Sequence, residues 1–329
     1  MSIILTIAAL AGTWATTANA LDAAPVAQGW DEPACDVDVA QLIEPAALLD
    51  SEQQPATQVI PAEPVATAVT VVKAAPVDAA AIVTAEDLLD VLESANKELV
   101  TLRAGIRIGT LKELQGDLQR RTGMVYYENR PALPEETVMP VRRFAVKFDE
   151  LDNDGVVTKE DQTFVFTGRD LIERNDKQKF FSKRCVIKEG DTRDPLRIGE
   201  GPVPLPIGQK KADILQRFEV ELWEPTRDLV WHVEGEQEQV EKSVAACKQL
   251  RLLPRPDAQM QGDIVEVRLW YKTNKAGEWL PRLAWTKNKA GDTTFVELYK
   301  VETNVEIDAG VMNVEKPEGN DWVVQEVGC

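Results

Sequence analysis

The stretch FDELDNDGVVTKED, residues 148–161, decides the fold of this chain. Aligned with Gly155 as the sixth loop position, it matches half of a calcium-binding EF-hand loop. Asp152 and Asp154 then occupy positions three and five, and Asp161 occupies position twelve. Two interpretations follow from this match: a calcium site between two helices, or a turn between two strands.

The residues that flank this stretch favour the turn. RRFAVKF (142–148) and TFVFTG (163–168) both alternate apolar and polar residues, which is the period of a half-buried strand. Position one of the loop is Glu150 instead of Asp, and position twelve is one methylene shorter than the usual bidentate Glu. The sequence therefore predicts a β-hairpin with its turn at 152–155, and no metal site in Glu150–Asp161.

Further strands on both sides extend this hairpin into two meanders. The first contains GMVYYE (123–128), Leu171–Arg174 and Phe180–Ile187, and the second contains strands at 250–255, 264–272, 279–287 and 294–307. A Pro-rich loop and a short helix, Lys210–Arg217, lie between them, and the acidic run Glu234–Glu241 is interpreted as a solvated helix or an insertion. This pattern predicts an antiparallel sheet.

An amphipathic helix of about twenty residues is predicted to precede the first meander. Thr84 and Asp87 are spaced as an N-terminal capping box. Leu88, Leu92, Leu99 and Leu102 follow at helical spacing, so one face of the helix needs an apolar cover.

The first 83 residues have a different composition. Residues 1–20 combine an apolar run with Ala18-Asn19-Ala20, which predicts a signal peptide cleaved after Ala20 and export to the periplasm, with no membrane span remaining. Residues 21–83 are rich in Ala and Pro and acidic, and are predicted to be a disordered spacer. The folded domain is therefore assigned to residues 84–329.

The residue types in the chain exclude several function classes. A net charge of −18 argues against nucleic acid as a partner. His232 is the only histidine, and no nucleophile, dinucleotide or P-loop motif is present, so we expect neither an enzyme nor a cofactor. The four cysteines, Cys35, Cys185, Cys247 and Cys329, allow three pairings, among which the sequence does not choose.

Four phrases in order carry a resemblance to a known family: LRLLPR (250–255), VRLWYK (267–272), LPRLAW (280–285) and FVELYKVETN (295–304). Together with the helix and the two meanders, they make residues 85–327 similar to the LolA-like periplasmic lipoprotein carriers. The resemblance implies an α+β fold, in which a strongly curved antiparallel half-barrel has its concave face covered by an amphipathic N-terminal helix and a short central helix.

The resemblance also implies a function and a site. The function is the non-catalytic binding or carriage of lipoproteins or lipids by a monomer, in outer membrane biogenesis. The alternative is an envelope interaction or sensor module that binds a protein partner without transferring cargo. An arginine that closes the lid maps to Arg130, with Arg142 and Arg143 as rivals. The residues that line an acyl-chain cavity, or else form an ordinary packed core, are Phe144, Val146, Phe148, Phe164, Phe166, Leu88, Leu92, Leu99, Leu102, Trp279 and Trp285.

Overall fold

A computed structural model gives the fold of most of the predicted domain. It describes residues 79–130, 141–188, 196–198, 207–231, 233, 235–258, 263–275 and 277–329. The predicted signal peptide, nearly all of the predicted spacer and His232 lie outside these residues. No helix within the described ranges has the length and apolar character needed to cross a membrane.

The described residues form one open sheet of twelve strands. In chain order the strands are β1 Thr101–Lys112, β2 Asp117–Arg130, β3 Val141–Asn153, β4 Val156–Phe166, β5 Asp170–Asn175, β6 Phe180–Cys185, β7 Phe218–Trp223, β8 Lys248–Pro254, β9 Ile264–Thr273, β10 Trp279–Asn288, β11 Thr293–Thr303 and β12 Val323–Val327. Across the sheet the order is β12-β6-β5-β4-β3-β2-β1-β11-β10-β9-β8-β7. Three α-helices of the described residues accompany it, α1 Ala85–Glu98, α2 Lys211–Arg217 and α3 Gln237–Val244, together with short 3-10 helices at Ala79–Ala81 and Ala309–Met312. The predicted α+β half-barrel is confirmed.

The two meanders join through the pairing of β1 with β11. This antiparallel pair runs from Leu102 opposite Thr303 to Leu111 opposite Thr293, so its partners are far apart in sequence. At one edge of the sheet, β12 pairs with β6 in the parallel direction, and a disulfide joins Cys185 to Cys329. This bond occurs in one of the three pairings that the sequence left open.

The stretch at 148–161 is a β-hairpin, as predicted. Asn153 pairs with Val156, and the two residues between them, Asp154 and Gly155, have φ of 50° and 87°. Positive φ at both central residues is what a type I′ turn requires. The Asp152 carboxylate accepts a hydrogen bond from the Gly155 amide at 2.8 Å and pairs with Arg120. The carboxylate of Asp154 accepts one from the Leu118 amide at 2.9 Å.

Helix α1 begins as predicted but ends earlier. The Thr84 hydroxyl accepts a hydrogen bond from the Asp87 amide at 3.1 Å, and the Asp87 carboxylate accepts one from the Thr84 amide at 2.8 Å. The helix ends at Glu98 after 14 residues, so the prediction of about twenty was wrong. Leu99 follows the helix and Leu102 lies in β1, a strand that the prediction missed because its apolar residues continue the helical spacing.

Side chains on the two faces of the sheet form separate cores. The concave face carries the main cluster, to which β1, β3 and β9 contribute alternate residues such as Leu102, Phe144 and Leu269. On the opposite face, α3 and the preceding segment cover part of β9–β11 around Trp270. The chain after β11 covers part of β3–β6 on that same face, around Met312. Both faces of the sheet are therefore buried over part of its area.

Candidate functional site

The concave face contains all but one of the predicted cavity residues. Leu88, Leu92, Leu99 and Leu102 share one buried cluster with the five residues predicted from β3 and β4, and with Trp279. The rings of Phe144 and Phe166 stack with centroids 5.7 Å apart. These side chains pack against one another, which is the arrangement of an ordinary core.

Trp285 is the exception, and its prediction was wrong. The register between β10 and β9 shifts between Pro281 and Leu283, so one extra residue is inserted there. Because side chains alternate along a strand, this β-bulge moves the residues beyond it to the other face. Trp279 lies in the concave cluster, whereas Leu283 and Trp285 pack in the opposite one.

A thin lid covers the concave face. We define the lid as residues 82–98, 196–198 and 207–217, which include α1 and α2. Its buried apolar side chains are Ile82, Leu88, Leu89, Leu92, Leu196, Ile198, Ile207 and Ile214. Ile82 belongs to the region predicted as spacer, so the buried core extends at least two residues before Thr84.

Buried polar side chains hold the pieces of the lid together. The side-chain amide of Gln209 donates to the carbonyl oxygen of Leu196 at 2.7 Å and accepts from the amide of Ile198 at 3.2 Å. Arg217, which is 5% exposed, donates to the Ile198 carbonyl at 2.8 Å and to the Asp213 carboxylate at 2.6 Å. The same carboxylate also pairs with Arg197.

The lid helices are tied to each other at the surface. The ammonium of Lys211 on α2 lies 2.8 Å from the Asp90 carboxylate and 3.2 Å from that of Glu86, both on α1. The two acidic side chains are more than 60% exposed, so solvent screens both pairs and each stabilises the lid only weakly. At the end of α1, the side-chain amide of Asn304 donates to the Glu98 carbonyl at 3.3 Å.

Of the three arginines considered for lid closure, the structure places Arg142 against the lid. A Cβ built on Gly208 would lie 2.8 Å from Nη1 of Arg142 and 3.4 Å from the Tyr127 hydroxyl. Arg143 points to the other face and pairs with Glu128. Arg130 ends β2, and its side chain lies outside the described part of the chain, so its role in lid closure stays a prediction.

Replacing Gly208 with alanine is expected to loosen the lid. Gly208 has φ of +75°, which strains any other residue, and the new methyl group would also displace the end of the flexible Arg142 side chain. We expect a loss of about 1–3 kcal/mol in the free energy of unfolding, measured by urea denaturation. Gly116→Ala is the matched control, because Gly116 has nearly the same φ, +73°, and nothing within 4 Å of an added Cβ. Equal losses in the two variants would show that the Arg142 contact contributes nothing.

A small polar pocket opens at the other end of the concave face. It has a volume of about 30 Å³ and is lined by Ile108, Thr110, Gln119, Arg121, Phe148, Gln162 and Phe164. Pockets that enclose drug-sized ligands usually have about 300–1,000 Å³, so this pocket does not hold an acyl chain in the present arrangement.

Burial shifts the pKa values of the charged groups around this pocket. Desolvation lowers the pKa of the Arg121 and Arg184 guanidiniums from their ordinary values. It also raises the pKa of the Glu173 carboxyl, which accepts a hydrogen bond from Gln162 at 2.9 Å. This polar group was not predicted from the sequence. The available signal was that Arg121 and Gln162 fall at the same alternate positions as the concave-face residues Val125 on β2 and Phe164 on β4.

The described residues provide neither a metal site nor a reactive thiol. No three of their His, Cys, Asp or Glu side chains come together in a way that would hold a metal ion. Cys247 is buried beneath α3, and desolvation raises the pKa of its thiol to about 11, so it is protonated and unreactive at neutral pH.

Comparisons with known proteins give similarities of structure only. No family model matches the chain, and no curated protein matches it. An uncharacterized conserved protein from Thermus thermophilus has a TM-score of 0.36 and 14% identity, over 74% of this chain and 99% of that one. A DUF1329 family protein from Desulfovibrio piger has a TM-score of 0.32 and 9% identity, over 70% of this chain and 95% of that one. A LolA superfamily protein from Nitrosomonas europaea has a TM-score of 0.29 and 12% identity, over 70% of this chain and 98% of that one.

The superfamily that the sequence predicted is thus represented among the similar structures. Identities and TM-scores this low transfer no function to this chain. A proposal about function must therefore rest on the concave face and its lid.

Proposed function

We propose that this protein is an exported, non-catalytic binder of acyl chains, which it takes up between the concave face and the lid. The proposal rests on one observation: the lid is a thin layer over a continuous apolar surface. The buried apolar side chains of the two lid helices are only four: Leu88, Leu89, Leu92 and Ile214.

The lid helices and a bound acyl chain compete to cover the concave face, and the free energies that they gain by burial are similar. Burying these four side chains contributes about 6–12 kcal/mol to the docking of the two lid helices, at about 1.5–3 kcal/mol each. A sixteen-carbon chain gains on the order of 10 kcal/mol from the same surface, at about 0.8 kcal/mol per methylene. An acyl chain would therefore replace the apolar contacts of the two lid helices at little net cost, and its release would be reversible.

The packed interior then corresponds to the closed state. Binding requires the lid to lift, so the apparent affinity is the intrinsic affinity reduced by the fraction of molecules that are open. A ligand that binds only the open state shifts the population towards it. The surface pairs of Lys211 with Asp90 and Glu86 are weak enough for such a change.

Weakening the lid should strengthen binding, and this tests the proposal. We expect Leu92→Ala to tighten the binding of a fluorescent long-chain fatty acid by about tenfold or more, because the substitution destabilises the closed lid by about 2–5 kcal/mol. The measurement is a fluorescence titration of the purified chain, together with mass spectrometry of lipids extracted from protein isolated from its own envelope.

Leu283→Ala is the matched control for this titration. Leu283 is 3% exposed but packs on the opposite face, so its truncation should destabilise the fold without strengthening probe binding. The proposal fails if neither the unmodified chain nor Leu92→Ala binds the probe and no acyl lipid is extracted.

That negative result would favour a second candidate, an envelope interaction module on the same scaffold. The observation behind it is that the described core residues of the concave face pack against one another, and that the polar pocket beside them, at about 30 Å³, is far smaller than an acyl chain. Such a module would bind a protein partner without cargo. Saturable binding of a defined envelope protein by the cargo-free chain, unchanged in Leu92→Ala, would support it.

A further inference from the structure

The polar pocket on the concave face has a composition that the apolar core does not require. The pocket is lined on one side by Phe148 and Phe164, which also belong to the main core, and on the other by Thr110, Gln119, Arg121 and Gln162. An apolar surface that meets a partly buried cation and two side-chain amides is suited to an amphiphile with an anionic head.

The guanidinium of Arg121 is only partly satisfied. Its Nη1 donates to the side-chain oxygen of Gln119 at 2.7 Å, while its buried Nε has no hydrogen-bond partner. No ion pair with Arg121 is found among the described residues, although the charges of Glu160 and Glu173 act on it from a distance. A buried donor without an acceptor is costly, which makes this Nε a natural place for a ligand oxygen.

The nearby carboxylates are engaged elsewhere. Glu173 accepts from the Gln162 side chain at 2.9 Å, and Glu160 accepts from that of Asn175 at 3.0 Å. Arg184, a second cation whose charge acts on Glu173, lies on β6, the strand next to Glu173 on β5. Burial favours the neutral form of Glu173, which reduces its repulsion of an incoming anion.

The size and position of the pocket fit the head of a single-chain lipid. Since one water needs roughly 10–15 Å³ of such space, the pocket of about 30 Å³ accommodates about two water-sized groups, the two oxygens of a carboxylate. Arg121 is six residues along β2 from Tyr127, which adjoins Gly208 of the lid. This spacing corresponds to about 20 Å, a distance comparable with the length of an extended long acyl chain.

From this geometry we propose that the pocket binds the carboxylate of a long-chain fatty acid, with the oxygen atoms on Arg121 and the chain running past Phe148 and Phe164 towards the lid. This proposal rests on the proposed function and specifies its ligand. Anionic oxygens could also come from the phosphate of a lysophospholipid. The small volume of the pocket favours the carboxylate.

The test compares ligands that differ only in the head. Cis-parinaric acid and its methyl ester are titrated against the full chain by fluorescence. We expect the acid to bind at least about tenfold more tightly than the ester, because only the acid has a charged carboxylate to accept hydrogen bonds from Arg121. Arg121→Gln should abolish the preference by weakening only the acid. Arg103→Gln, which alters an exposed arginine paired with Glu302, should leave it intact.

The outcomes separate this inference from the proposed function. Equal binding of acid and ester would overturn the carboxylate site while leaving acyl-chain binding supported, and this comparison holds even if Arg121→Gln does not fold. Tighter binding of a lysophosphatidic acid of equal chain length, or displacement of the acid by inorganic phosphate alone, would overturn the carboxylate assignment. Binding of neither probe, in the unmodified chain and in Leu92→Ala, would overturn both proposals.

Discussion

Replacing Cys185 and Cys329 with serine is expected to lower the free energy of unfolding by about 2–5 kcal/mol. The two cysteines are 144 residues apart in sequence, with Cα atoms 5.2 Å apart. Because the bond closes so long a loop, it restricts the unfolded chain strongly. It also fixes β12 beside β6. Just before β12, the Trp322 ring contacts two cations, with the Arg174 guanidinium 5.2 Å and the Lys179 ammonium 5.0 Å from the ring centroid.

Urea denaturation with and without a reductant measures this effect. The unmodified chain should lose the same stability on reduction that the double variant loses by substitution. Cys247→Ala is the control, since Cys247 is the free buried cysteine of the described part of the chain and its variant should keep the full response to reductant. An unchanged denaturation midpoint after reduction would contradict the prediction.

Asp213→Asn is expected to cost about 3 kcal/mol, because its carboxylate pairs with a buried guanidinium. Arg217 contacts it at 2.6 Å and Arg197 contacts it as well, so the change removes negative charge from beside two cations. Since both arginines belong to the lid, we also expect faster proteolysis of the lid segments. The measurements are urea denaturation and limited proteolysis.

Glu238→Gln is the matched control for this charge removal. Glu238 pairs with Lys242 on α3 at 2.6 Å, and both side chains are at least 72% exposed. A salt bridge in that setting contributes at most about 1 kcal/mol. Similar losses of unfolding free energy in the two variants would show that the lid pair stabilises the fold no more than an exposed salt bridge does.

The parts of the fold that depend on local chemistry were predictable from the sequence. The turn at 154–155, the capping box at Thr84 and the strand periods of β3 and β4 are each set by neighbouring residues. The boundary between α1 and β1 was not, because Leu99 and Leu102 keep helical spacing although the helix ends at Glu98.

The parts that depend on distant contacts were not predictable in this way. Trp285 was assigned to the wrong face because a bulge at Pro281–Leu283 is visible only in its pairing with β9. The polar pocket brings Thr110, Arg121 and Gln162 together from three strands, and no local pattern reports such a group. The pairing of Cys185 with Cys329 depends on β12 returning to β6.

The pairing of β1 with β11 has a consequence for how the protein acquires its fold. Partners such as Ile106 and Leu298 are almost two hundred residues apart, so this seam closes only after nearly the whole domain is available. Sheets dominated by such distant pairings have high contact order and fold slowly. Until β11 arrives, β1 presents an open edge able to pair with another chain, and the period before its arrival is when this protein is most exposed to aggregation.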